Sequence, residues 1–84
     1  MPEIARFYGL IVKMYLRSKD HNPPHIHILY GEYAGVYELD PPQMVEGDLP
    51  RRAQNLAMEW IKQNQAALLE IWNTQNFRHL PPLD

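Results

Sequence analysis

Eighty-four residues without a cysteine suffice for one domain with a small core, and they exclude disulfides and thiolate metal ligands. An apolar share of 45% with 21% charged residues is typical of a folded globular chain and excludes wholesale disorder. With a formal charge of -2, any basic surface is expected to be local and modest, unlike that of a dedicated nucleic-acid binder.

The N-terminal region holds no hydrophobic segment of membrane length. Its longest apolar run, Leu10-Ile11-Val12, ends at Lys13, which is too short for a signal-peptide core or a membrane span. We therefore expect a soluble protein of the reducing cytoplasm that does not contact a membrane.

Residues 4–17 are predicted to form the first strand, with a bend or bulge at Gly9. In its second half apolar residues alternate with a set that points to the other side. That second set consists of Ile11, Lys13, Tyr15 and Arg17.

A stiff loop over 18–24 precedes the second strand, because Pro23 and Pro24 restrict the backbone there. The strand begins at His25 and leads into Tyr30-Gly31-Glu32-Tyr33, a two-residue hairpin turn with glycine at the first central position. This turn fixes a register in which His25 faces Glu38 across the two strands and shares one sheet face with His27.

Asp40-Pro41-Pro42-Gln43 is predicted to end the third strand, and Met44-Val45-Glu46 to add a short edge strand. Asp48 is then a candidate N-cap for one long amphipathic helix that ends near Gln75. Residues 1–76 form the predicted domain, and residues 77–84 the tail.

The predicted helix is about 40 Å long, whereas the strands are only about 20 Å long. Either the helix kinks near Asn64-Gln65, or its second half, including Trp72, packs against another protein. The alternative for Trp72 is that the small core itself buries it. Trp60, at the helix centre, is expected in the core.

Together these elements predict an α+β fold: an antiparallel sheet of three to four strands packed on one long C-terminal helix. The helix is expected on the face of Ile26 and Ile28, which leaves the histidine face uncovered. We therefore expect a homodimer or a complex with a second small protein.

Three of the four histidines lie within seven residues of the sequence. The first interpretation of this cluster is a metal site. His25 and His27 lie two apart on a strand, and His21 or Glu38 could complete a three-ligand set for a divalent transition metal such as zinc, copper, nickel or iron.

A second interpretation is acid-base chemistry on RNA, in which His25 and His27 exchange protons. Lys13 and Arg17 would then contact the phosphate, while Tyr15 stacks on a base. The acidic composition of residues 31–50 opposes RNA binding.

A third interpretation is structural. His21 and His25 would donate hydrogen bonds to carbonyls of the proline loop, and His27 would pair with a carboxylate such as Glu38.

Arg51 and Arg52, at the start of the helix, are candidates to bind a phosphate or a partner's carboxylates. The alternative is a solvated pair that engages Glu46 or Asp48.

Several segments together resemble one known family. They are Arg6-Phe7-Tyr8-Gly9, Asp20-His21-Asn22-Pro23-Pro24-His25-Ile26-His27, Tyr30-Gly31-Glu32-Tyr33 and Leu49-Pro50-Arg51-Arg52-Ala53. From Arg6 to about Trp60 the chain is similar to the small bacterial proteins of domain-of-unknown-function family 4160. That family has no assigned reaction, and its members are often encoded beside another small protein, which has suggested a toxin-antitoxin pair.

Two hypotheses follow. The resemblance implies a protein-interaction module, one component of a toxin-antitoxin-like pair. The residues themselves also allow a small ribonuclease or metal-dependent hydrolase with His21, His25 and His27 as its catalytic residues.

Overall fold

A computed structural model of the protein describes residues 3–15 and 23–83. Five strands precede one helix: β1 (Glu3–Phe7), β2 (Leu10–Lys13), β3 (His25–Tyr30), β4 (Tyr33–Leu39), β5 (Pro42–Asp48) and α1 (Arg51–Thr74). The strands form one sheet in the order β1-β2-β3-β4-β5, and each neighbouring pair is antiparallel. The predicted α+β class is confirmed, with five strands instead of three or four.

The additional strand arises at the N-terminus, where the prediction of one bent strand was wrong. The chain reverses at Tyr8 and Gly9, and β1 pairs with β2. Both turn residues have positive φ, 47° for Tyr8 and 85° for Gly9. Two consecutive left-handed residues match the right-handed twist of paired strands, so the segment closes into a tight hairpin.

The β3–β4 hairpin has the predicted turn and register. Gly31 has a φ of 58°, and Tyr30 faces Tyr33 on the other side of the turn. Farther along, His25 faces Glu38, as predicted, and His27 faces Val36.

The last strand is longer than predicted, since β5 runs over seven residues from Pro42 to Asp48. Its register with β4 shifts by one residue beside Val45, between the pairs Val36–Glu46 and Tyr37–Met44. Gly47 then adopts a φ of 94°, and a Cβ atom there would collide with the Ala34 carbonyl. The shift and the glycine allow β5 to follow β4 to its end.

One face of the sheet packs on α1 and forms the core. Trp60 lies at its centre and contacts Phe7 with ring centroids 5.5 Å apart. Ile26 and Ile28 are fully buried, so the helix covers the predicted face. The remaining core residues include Ile4, Leu10, Val12, Met14, Tyr37, Leu39, Leu49, Ala53, Ala57, Ile61, Leu68, Ile71 and Trp72.

The helix begins after Pro50, at Arg51, and no side chain caps it. The prediction of Asp48 as its N-cap was wrong, because Asp48 ends β5. At the other end Gln75 adopts a left-handed conformation, and its N–H donates to the Ile71 carbonyl at 2.8 Å.

The second half of the helix does not project beyond the molecule. The helix is one element through Asn64 and Gln65, and the Gln65 side-chain amide donates to the Leu39 carbonyl at 2.7 Å. Trp72 is only 5% exposed. The prediction that it contacts another protein was wrong, because the chain's own core buries it.

The segment after the helix, predicted as a tail, packs back on the domain. The Leu80 N–H donates to the Ile4 carbonyl at 2.8 Å, and the Trp60 indole N–H donates to the Pro81 carbonyl at 2.8 Å. Leu83 is buried. These contacts place the segment along the outer side of β1, so β5 is the sheet edge that no described backbone segment joins.

Candidate functional site

The sheet face opposite α1 carries the polar side chains singled out in the sequence. Strand pairing places Lys13 beside His27, and His25 beside Glu38. The described part of the chain lays no helix over this face, which we call the open face. Its members include Ile11, Lys13, Tyr15, His25, His27, Leu29, Val36, Glu38 and Glu46.

Four rings form a continuous row at the start of β3. Trp72 lies 5.0 Å from His25, His25 lies 5.5 Å from His27, and His27 lies 4.4 Å from Tyr15, all between ring centroids. The row begins in the helix-side core and ends on the open face. Trp72 therefore connects the buried packing to the histidines.

His25 is held by the proline loop, as the structural interpretation predicted for this residue. Its Nδ1–H donates to the Pro23 carbonyl, with the two atoms 2.9 Å apart. A carbonyl can only accept, so Nδ1 carries the proton of this hydrogen bond, and Nε2 is the ring nitrogen that the bond leaves unused.

His27 lies in a mixed electrostatic environment. Partial burial lowers the pKa of its imidazole, the neighbouring His25 lowers it further, and the Glu46 carboxylate raises it. The physical reason for the dominant effect is that burial removes water from the charged imidazolium. His27 is consequently biased toward the neutral form, which can accept a proton.

Glu46 is the carboxylate that raises the pKa of His27. The predicted pairing of His27 with Glu38 is not formed. Glu38 lies opposite His25 and accepts a hydrogen bond from the Gln43 side-chain amide at 3.2 Å. Glu46 pairs with Val36, which in turn faces His27. The sequence missed Glu46 as a site residue, because its position opposite Val36 depends on the register shift in β5.

A shallow pocket of about 240 Å³ lies beside the histidines. It is smaller than typical small-molecule sites, which occupy about 300–1,000 Å³. Its lining consists of Pro23, His25, Val36, Glu38, Val45 and Glu46. The pocket thus combines two carboxylates with two valines and a proline.

The proposed metal ligands are only partly described. His25 and His27 are adjacent and could each offer a ring nitrogen, whereas His21 lies outside the described residues, as does Arg17. Across residues 3–15 and 23–83, no group of three or more His, Cys, Asp or Glu side chains is arranged to hold a metal ion.

Arg51 and Arg52 are exposed in the first turn of α1. The ion pairs among the described residues join Arg6 to Glu3 and Arg78 to Glu70. The predicted contacts of the arginine pair with Glu46 or Asp48 are therefore not formed.

The fold and the open face define a small α+β protein with one helix on a five-stranded antiparallel meander. The chain belongs to the family described as domain of unknown function DUF4160, whose family model matches residues 9–73. The match begins in the β1–β2 turn, ends in the last turn of α1 and includes every pocket residue. No curated protein and no solved structure matches the chain. Among the described residues, α1 lacks the long apolar stretch that a membrane-spanning helix needs.

Proposed function

We propose that the protein is a cytoplasmic interaction module, one member of a bacterial two-protein pair of the toxin-antitoxin type, and that its partner binds the open face. The observation that carries this proposal is that the sheet has helical cover on one face only in the described chain. A sheet with an uncovered face gains stability when a second protein covers it.

The apolar side chains of this region support a protein partner. Val45 is 49% exposed, and Ile11, Leu29 and Val36 are only half-buried. Exposed apolar groups rimmed by polar ones are typical of interaction sites.

The histidines support the same proposal. His25 has a fixed position through its hydrogen bond to the Pro23 carbonyl and its contact with Trp72. A rigid ring loses little conformational freedom when a partner binds, which favours affinity. His25 would thus serve as a preordered contact group.

The test is to isolate the complex from the native host, reconstitute it from purified components and compare hydrogen exchange of free and bound protein. We expect added protection in β2, β3 and β4. Leu29→Glu places a charge in the middle of the open face and is expected to weaken binding at least tenfold. Lys62→Glu, on the exposed helix surface, is the matched control and is expected to bind normally.

Two results would contradict the proposal: a partner that protects only α1, or a Leu29→Glu variant with unchanged affinity and an intact fold. Growth assays assign the role within the pair, since the toxic member arrests growth alone and the other relieves the arrest. A homodimer through the open face would instead appear as added protection that depends on protein concentration.

The second candidate function is a small ribonuclease or metal-dependent hydrolase that uses His21, His25 and His27. The observation that favours it is the lowered pKa of His27 beside Lys13, because a neutral imidazole next to a cation suits proton removal near a phosphate. Under this proposal His27→Ala abolishes cleavage of a labelled RNA and leaves the thermal midpoint nearly unchanged. Metal analysis of the purified protein separates the two chemistries.

A further inference from the structure

We infer that the pocket between β3, β4 and β5 binds an arginine or lysine side chain, supplied by an extended partner segment that adds to the edge of β5. This inference rests on the proposed function and specifies the chemistry of the partner. It is carried by the unpaired edge, the distribution of charge and the lining of the pocket.

The two edges of the sheet differ in their backbone partners. The outer side of β1 bonds to the C-terminal segment through the Leu80 N–H. The outer side of β5 has no such backbone partner among the described residues. An unpaired strand presents N–H and C=O groups that an extended peptide can pair with.

The segment that contains β5 is acidic. Between positions 31 and 50 the chain has acidic residues and no Lys or Arg. Glu46 and Asp48 are exposed on β5 itself. A second copy of this chain paired edge to edge would bring these carboxylates together, which is unfavourable. A partner with basic residues is favoured instead.

The pocket combines apolar and acidic side chains in a small volume. Val36, Val45 and Pro23 can contact the aliphatic stem of a long side chain while Glu38 and Glu46 face its charged end. Neither glutamate belongs to an ion pair with another described residue. A volume of about 240 Å³ suits one side chain better than a drug-sized ligand.

The test uses three capped pentapeptides with the sequence Val-Thr-X-Thr-Val, where X is arginine, its uncharged isostere citrulline, or glutamate. Each is titrated into the ¹⁵N-labelled full-length protein at low salt. We expect the arginine peptide to shift amide signals of β5 and of the pocket residues, with weaker binding by citrulline and none by glutamate. Added salt is expected to weaken arginine binding.

Single substitutions then locate the charged end of the peptide. Glu38→Gln and Glu46→Gln are each expected to weaken arginine binding about two- to fivefold, the range of partly exposed charge pairs. Glu59→Gln removes the same charge from an exposed position of α1 and is expected to change nothing.

Three outcomes of the peptide titration would overturn the inference. They are no amide shift at millimolar arginine peptide, equal binding of arginine and citrulline, or shifts confined to regions away from β5. A β5-to-β5 dimer of this chain would overturn it as well. If Leu29→Glu disrupts the native complex but Glu46→Gln and Glu38→Gln do not, the proposed function stands and this inference fails.

Discussion

The two faces of the sheet use the same strands but have opposite roles. On the helix face of β3, Ile26 and Ile28 have no exposed surface. On the open face, His25, His27 and Leu29 alternate with them and remain partly accessible. The described residues include no buried charged side chain, so Lys, Arg, Asp, Glu and His lie outside the core, which contains the Tyr37 phenol. Alternation along one strand therefore separates folding stability from surface chemistry.

The largest expected effect is on the helix face. Trp60→Ala removes the central core side chain and its hydrogen bond to the Pro81 carbonyl, and is expected to cost about 3–5 kcal/mol of unfolding free energy. That is a large part of the total stability of a small domain, about 5–15 kcal/mol. Urea denaturation measures the loss. A cost below about 1 kcal/mol would contradict the assigned core.

Ile28 and Leu29 are neighbours on β3 and point to opposite faces of the sheet. Ile28→Ala, on the helix face, is expected to cost about 2–5 kcal/mol. Leu29→Ala, one residue later on the open face, is expected to cost no more than about 1 kcal/mol, because it removes less buried surface. Thermal and urea unfolding of both variants checks this, and equal losses would show that the open face is covered in the isolated protein.

His25 connects the two faces, because it contacts Trp72 in the helix-side core and His27 on the open face. His25→Ala is expected to cost about 1 kcal/mol, since it removes the hydrogen bond to Pro23 and the contact with Trp72. His27→Ala is the matched control and is expected to cost less. The reverse order in urea denaturation would mean that His27 is the structural histidine.

The smallest expected effect is a pH dependence from His27. Its pKa is lowered from 6.5 in the folded protein by burial and by His25, so the unfolded chain binds that proton more tightly. Its contribution to stability is therefore complete above pH 6.5 and declines as the pH falls through the lowered pKa. Unfolding midpoints between pH 5 and 8 measure it.

The control for this pH dependence is His27→Gln, whose unfolding midpoint is expected to fall less over the same pH range. An NMR titration of the ring protons gives the pKa independently. A ring that titrates above its ordinary value would contradict the assigned burial and would indicate a closer carboxylate.

Local signals in the sequence predicted part of the fold and of the site. Glycine at the first turn position specified the β3–β4 register, because few residues adopt positive φ there. The turn at Tyr8 gave no such signal, since a tyrosine with a φ of 47° is not expected from local preferences. The sequence therefore predicted one strand where the chain forms two.

The missed part of the site depends on contacts between distant segments. Glu46 joins the pocket because β5 shifts its register beside Val45, and Trp72 reaches His25 because α1 packs along the sheet. Neither of these two contacts can be predicted from residues that are neighbours in the sequence. The shared placement of Lys13, His25 and His27 was predictable, because strand alternation alone determines which side chains share a face.

The sequence by itself determined the α+β class, the buried face of β3 and the presence of the long helix, because each follows from the periodicity of apolar residues. Tertiary structure decided the number of strands, the burial of Trp72, the return of the C-terminal segment to β1 and the pairing of Glu46 with Val36. Local sequence preferences allow several packing arrangements for these segments. The contacts of the assembled core decide which arrangement forms.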